Sequence, residues 1–205
     1  MRIEIVRELD LDDDQLEIPW TSPSGSALRY VDLKRFPEKI RRLPECRGYP
    51  ALGALLSKVN APGSNLRTAK CDVWKTTELA QDERLDFKLP FKTGGYVDLV
   101  FERAELRARL GAHLRFGKKL ARALRRFPVQ GQMEIVVRRC LFHPPEVRGY
   151  ALTLFVHAYG TSRTEAKAEW GRALAALGDA LSQTSPRGPP FSRKGAVRSS
   201  PRPRL

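Results

Sequence analysis

The sequence is poor in the residues that build metal centres and disulfide frameworks. It has three cysteines and three histidines in 205 residues, and no two cysteines form a C-x-x-C pair. An odd and widely spaced set of cysteines argues against a disulfide framework and against a structural zinc site. We therefore expect no metal or other cofactor, and thiols that stay reduced inside the cell.

Long apolar runs and the common nucleotide and hydrolase motifs are also lacking. No stretch approaches the roughly 18 apolar residues of a membrane span, and residues 1–5 mix charged with apolar side chains, unlike a secretory signal. There is no Walker loop, no G-x-G-x-x-G, no G-x-S-x-G and no H-E-x-x-H. These absences disfavour classical nucleotide binding and serine hydrolase chemistry, and they predict a cytoplasmic protein.

Acidic residues are too few to balance the basic ones, and the net charge is +14. Residues 103–126 contain nine basic side chains and one acidic, and residues 185–205 contain six basic side chains and no acidic one. Helical spacing places five of the former on one side: Arg115, Lys118, Lys119, Arg122 and Arg126. Such a face and tail would attract phosphate backbones by counterion release, so a nucleic-acid-associated protein is one alternative function. An ordinary solvated helix in an arginine-rich chain is the other interpretation.

Hydrophobic periodicity predicts an α+β fold. We expect strands at 2–6, 29–33, 66–75, 94–101, 133–142 and 149–159, and helices at 37–43, 50–59, 103–127 and from 163 onward. The segment 76–89 is polar and predicts a long connection. These elements favour a mainly antiparallel sheet of five to six strands with about three helices on one face. Residues 1–184 would form a single domain, and residues 185–205 a disordered basic tail.

The string Tyr-Val-Asp-Leu occurs twice, at 30–33 and at 96–99. The sections 29–74 and 96–142 share a predicted strand-helix-strand order. Two related units are therefore one hypothesis for the organisation of the chain.

Alternation along the strands separates two faces of the sheet. The apolar face predicts the core and consists of Val31, Leu33, Cys71, Val73, Val97, Leu99, Phe101, Ile135, Val137, Leu152, Leu154 and Val156. The other face mixes aromatic rings with charges. Its candidate partner-binding residues are Tyr30, Asp32, Asp72, Trp74, Tyr96, Asp98, Arg138, His157 and Tyr159.

Three interpretations of this mixed face compete. Antiparallel sheets often expose one polar face to water, where rings and charges pair across strands. Clustered Tyr, Trp and Arg are also the residues that anchor protein interfaces. A third possibility is a metal-dependent hydrolase or nuclease centred on Asp32, Asp72 and Asp98. We expect the second, a non-catalytic binding protein that engages a protein partner or a second copy of itself through this face.

Overall fold

The computed structural model describes residues 1–20 and 30–184. The strands are β1 (Arg2–Glu8), β2 (Leu16–Ile18), β3 (Leu66–Thr76), β4 (Phe91–Phe101), β5 (Gly131–Phe142) and β6 (Val147–Gly160). The helices are α1 (Pro50–Val59), α2 (Gln81–Phe87), α3 (Ala104–Arg107), α4 (Leu110–Leu124) and α5 (Arg163–Thr184), with 3-10 turns at Pro37–Arg42 and Pro44–Cys46. The predicted disordered tail at 185–205 lies outside the described residues. No helix in the described ranges is long and apolar enough to cross a membrane.

The strands form one six-stranded sheet in the order β1-β5-β6-β4-β3, with β2 also paired to β5. β3, β4, β6 and β5 pair antiparallel, whereas β1 and β2 run parallel to β5. The predicted α+β class with a mostly antiparallel sheet is therefore confirmed, although the sheet is mixed and the described residues form more helices than the three or so that were predicted. Parallel pairing of the N-terminal strands could not be read from hairpin spacing, because their partner lies more than 120 residues later in the chain.

The apolar face of the sheet packs against α1, α4 and α5 in one large core. The predicted core residues of β4, β5 and β6 all lie in it or against it, and Leu99, Ile135 and Leu154 are completely buried. On α5, helical spacing predicts one apolar stripe, and its members are all buried: Ala166, Trp170, Leu174, Leu177 and Leu181. The periodicities of 2 in the strands and 3.6 in the helices thus describe this side of the molecule correctly.

A bulge in β3 changes which side chains face the core. The register with β4 shifts between Thr68 and Cys71, so that two residues of β3 lie opposite Asp98. Leu66 consequently packs in the main core, while Arg67 lies on the same face as Asp72 and Trp74. Simple alternation from Trp74 would have placed Leu66 on the mixed face and Arg67 on the core face.

The first Tyr-Val-Asp-Leu string is not a strand, so the predicted strand at 29–33 is wrong for the residues described. The Asp32 carboxylate accepts the backbone N–H groups of Lys34 and Arg35, at 3.0 and 3.1 Å, and forms a turn instead. Pro37 then begins a 3-10 turn. The second copy of this string, at 96–99, forms part of a central strand, because β3 and β6 lie on either side of it. The structure therefore shows no second strand-helix-strand unit like that at 96–142 within 30–74.

Two predicted segments need correction around the helices. The expected connection at 76–89 contains α2, whose buried Glu83 accepts the N–H of Ala80 at 3.0 Å and a bond from Lys92 at 2.7 Å. The expected continuous helix at 103–127 is divided at Ala108 and Arg109 into α3 and α4. The division leaves α3 at the end of β4, while α4 packs across the sheet against β1, β6 and α5.

The outer edge of β3 is partly occupied by side chains from the same molecule. The Trp20 indole N–H donates to the Ala69 carbonyl at 2.9 Å, and the Lys34 ammonium donates to that of Leu66 at 3.1 Å. The Asp72 carboxylate accepts the N–H of Val73 at 2.7 Å. These bonds and the bulge hinder the addition of another strand at this edge of the sheet.

Candidate functional site

Four rings meet on the sheet face opposite α1, α4 and α5, and we call them the aromatic patch: Trp74, Tyr96, Phe155 and His157. Ring centroids are 5.6 Å apart for Trp74 and His157, 6.3 Å for Trp74 and Tyr96, and 5.6 Å for Tyr96 and Phe155. All four side chains are half-buried, so part of each ring remains accessible. Their tilted packing restrains them, and restrained rings lose little entropy when a partner binds.

Gly94 allows the patch to form. It lies on β4 directly between Trp74 of β3 and His157 of β6. A methyl group at this position would collide with the His157 ring and lie 3.1 Å from Trp74 Nε1. Gly95 has the same role on the core face, where a methyl group would lie 2.8 Å from Trp170 Cζ2. The glycine pair thus lets aromatic rings rest on both faces of one strand.

Asp98 lies beside the patch on the same face and is only 2% exposed. Its carboxylate accepts a hydrogen bond from the Thr153 hydroxyl of β6. Burial raises the pKa of Asp98 to about 6, against the lowering effect of Thr153 and of the positive charges of Arg138 and Lys70. At neutral pH the patch therefore borders an ionised carboxylate. The hydrogen bond and the nearby positive charges offset only part of the free-energy cost of burying this charge.

Further carboxylates lie on the β1 side of the patch. Glu4 and Glu134 are directly opposite each other in the parallel β1 and β5 pair, and Glu134 lies opposite Phe155 in β6. Burial raises the pKa of Glu134, and the negative charges of Glu4 and Glu8 add to this effect. Like charges at directly paired positions destabilise a sheet. The positive charge of Arg138 offsets part of this repulsion.

His157 is neutral near pH 7. Burial lowers its pKa to about 4, and the positive charge of Lys92 contributes in the same direction. Its buried Nδ1 has no hydrogen-bond partner within the part of the chain that the structure describes. The imidazole therefore contributes an uncharged ring and one unused polar atom to the patch.

Lys70 also reaches the patch, and sequence reasoning missed it as a site residue. Its ammonium lies 5.4 Å from the centre of the Trp20 ring and 5.9 Å from that of Tyr96. Phe155 was missed as well, although alternation places it on the same face as His157. Alternation along the strands places both Lys70 and Phe155 on the mixed face. A lysine or a phenylalanine does not by itself indicate a functional site.

Three predicted site residues lie elsewhere, and a fourth, Arg138, has a partner within the molecule. Tyr159 is 1% exposed, because Phe87 of α2 stacks on its ring at 3.9 Å and its hydroxyl donates to Glu83 at 2.7 Å. Tyr30 packs against a second, smaller core around Ile18, Val100 and Phe142. Asp32 forms the turn described above. Arg138 remains on the mixed face but is paired with Glu8 at 2.6 Å.

The three aspartates of the hydrolase hypothesis do not form a metal site. Asp72 and Asp98 lie on neighbouring strands, but Asp32 belongs to the turn that precedes Pro37. Within 1–20 and 30–184, no group of three His, Cys, Asp or Glu side chains is placed to hold a metal ion.

The predicted basic face is present on α4. Its side chains Arg115, Lys118, Lys119 and Arg122 are exposed, as is Arg126 just beyond the helix. α4 packs with α5 against the apolar face of the sheet, so its basic face and the aromatic patch lie on opposite sides of the sheet. A ligand that contacts both surfaces at once would have to extend around the molecule.

Comparisons with known proteins found no family model, no curated protein and no solved structure that matches this chain.

Proposed function

We propose that this chain is a binding protein that recognises a basic surface of a protein partner through the aromatic patch. The observation that supports this most directly is that restrained, half-buried rings lie beside carboxylates whose negative charge is only partly balanced by positive groups of the same molecule. Trp and Tyr are the commonest anchors of protein interfaces, and cations are attracted to their ring faces. Asp98, Glu4 and Glu134 would supply the complementary negative charge.

A second copy of the chain is the first partner to consider. The exposed basic face of α4 is positively charged and would complement the carboxylates beside the patch. Each copy presents both surfaces, on opposite sides of its sheet. Contact between the patch of one copy and α4 of the next is a head-to-tail interface, which leaves a free surface at each end and can extend into short chains. Electrostatic complementarity of this kind weakens as salt increases.

Replacing Trp74 and Tyr96 together by alanine is expected to weaken self-association by more than about tenfold, because each ring would be an interface anchor. Sedimentation velocity over a concentration series measures this. Leu85→Ala is the matched control, since Leu85 is 67% exposed on α2 and lies outside the patch. Equal weakening by the control, or a wild-type protein that stays monomeric at every concentration, would contradict self-association.

A mixing experiment distinguishes head-to-tail contact from symmetric contact between two patches. The patch variant should form a one-to-one dimer with a variant that has Lys118→Glu and Arg122→Glu, although neither associates alone. A symmetric patch-to-patch interface would give no such rescue, because the patch variant could not contribute its half.

Nucleic-acid binding by α4 is a second candidate, supported by four exposed basic side chains on one side of this helix and by Arg126 just beyond it. Deleting residues 185–205 and replacing Arg115, Lys118 and Arg122 by glutamate is expected to abolish binding of a fluorescent oligonucleotide at low salt. In wild type, the logarithm of the affinity should fall steeply with the logarithm of the salt concentration, by about 0.9 per phosphate contact. Fluorescence anisotropy measures both quantities.

The matched control reverses the same number of charges elsewhere, at the exposed Arg41, Arg42 and Arg47. An equal loss of binding in this control would show that the net charge of the protein, rather than the basic face of α4, causes the oligonucleotide to bind. The patch variant should bind nucleic acid as wild type does, which separates this function from the first one.

A further inference from the structure

A cavity of about 340 Å³ lies at the end of the sheet where β5 turns into β6. Three different elements each provide one arginine to its wall: Arg67 from β3, Arg107 from α3 and Arg148 from β6. The lining residues in the described part of the chain include no carboxylate. The volume is within the range of about 300 to 1,000 Å³ that small-molecule sites occupy.

Two of the guanidinium groups are held in place by neighbours. Arg107 Cζ lies 4.8 Å from the centre of the Phe142 ring, which also lines the cavity. Arg67 Nε lies 3.5 Å from Glu102 Oε1, a distance that attracts the charges but does not meet hydrogen-bond geometry. A ligand would therefore find these two cations already positioned.

Neither group uses its full hydrogen-bonding capacity. The Nε atoms of both Arg67 and Arg107 are buried and have no hydrogen-bond partner among the residues described. Burial lowers the pKa of Arg107 and the positive charge of Arg67 lowers it further, while the negative charges of Glu102 and Glu105 act in the opposite direction. Two guanidinium groups that repel each other in the wall of one cavity are an arrangement that an oxyanion stabilises.

We propose that this cavity binds the phosphate group of a small phosphate monoester. Three arginines match the double charge and the several acceptor oxygens of such a group. The same wall contains Phe142, Pro145 and Tyr30, which can contact an apolar or planar body attached to the phosphate. This site is separate from the aromatic patch, since its residues come from the end of the sheet, and it is independent of the proposed protein partner.

The test uses the full chain and three probes: inorganic phosphate, adenosine 5′-monophosphate and adenosine. Isothermal titration calorimetry at low salt should detect the monophosphate, with an affinity at least about tenfold above that of inorganic phosphate, and should not detect adenosine. Equal binding of adenosine and its monophosphate would overturn the proposal. No binding of any probe at about 10 mM would overturn it as well.

Single substitutions locate the site. Arg107→Gln and Arg148→Gln should each weaken binding of the monophosphate by about tenfold or more, because each removes a charge-assisted hydrogen bond. Arg109→Gln is the matched control, since Arg109 is exposed, lies two residues from Arg107 and does not line the cavity. Equal weakening by all three substitutions would indicate diffuse charge and overturn the assignment. Arg148 is exposed, so its variant keeps the test valid if Arg107→Gln fails to fold.

Discussion

Replacing Trp170 by alanine is expected to destabilise the protein by about 3 to 5 kcal/mol, the range for removing a buried tryptophan from a core. Trp170 is 2% exposed and packs edge-to-face on Tyr49 at 5.3 Å. Its indole N–H donates to the Val156 carbonyl of β6 at 2.9 Å, and its ring lies against Gly95 of β4. The substitution would thus remove contacts that join α5 to two central strands.

Urea denaturation measures the change through the midpoint of the transition. Trp170→Phe is the control, because phenylalanine keeps most of the apolar contact and loses the hydrogen bond. It should cost about 1 to 2 kcal/mol, less than alanine. A phenylalanine variant as unstable as the alanine variant would show that the hydrogen bond, rather than packing, is the main contribution of Trp170.

Replacing Asp98 by asparagine is expected to stabilise the protein at neutral pH, by an amount on the order of 3 kcal/mol. The folded pKa of Asp98 is raised from 3.8 to about 6, so the folded state binds a proton more tightly than the unfolded state. The associated stability is fully present below pH 3.8 and is lost as the pH rises through about 6. Asparagine stays neutral and can still accept the hydrogen bond from Thr153, so it should avoid this loss.

Urea denaturation of both proteins at about pH 7.5 and about pH 4.5 measures the difference. The advantage of the asparagine variant should be largest at the higher pH and should shrink as Asp98 becomes protonated in wild type. Asp72→Asn is the matched control, because Asp72 is exposed on the same face and asparagine can also accept the N–H of Val73. An advantage that does not change with pH would contradict the argument.

The same Asp98 substitution connects stability with function. If the carboxylate attracts a basic partner to the aromatic patch, the asparagine variant should be more stable and yet associate more weakly. A charge that destabilises the folded state is retained most readily where binding needs it. Stronger association of the variant would remove Asp98 from the proposed interface.

Much of the patch could be predicted from strand alternation. Trp74, Tyr96 and His157 were assigned to one face because each has the opposite parity to a buried aliphatic neighbour, and the structure brings their rings together. Tyr159 has the same parity as His157, yet α2 covers it, and α2 lies in a segment without a clear helical pattern. Alternation assigns a side chain to a face but does not show whether another segment packs over that face.

The arginine cavity shows where pattern reasoning fails. Arg67 reaches it because a bulge shifts the register of β3, and Arg107 reaches it because the helix predicted at 103–127 is divided after α3. Neither irregularity has a strong local signal, since a bulge inserts one residue without requiring a particular type. The positions of both side chains depend on how strands and helices pack at the end of the sheet.

The sequence by itself determined the mostly antiparallel α+β class, the apolar face of the central strands, the stripe of α5 and the basic side of α4. These features depend on periodicity, which local backbone geometry enforces. The tertiary structure decided that one Tyr-Val-Asp-Leu string is a central strand and the other a turn. It also decided that three distant arginines share one cavity. Both outcomes depend on which segments lie beside each other, and long-range pairing is a property of the whole chain rather than of any short stretch.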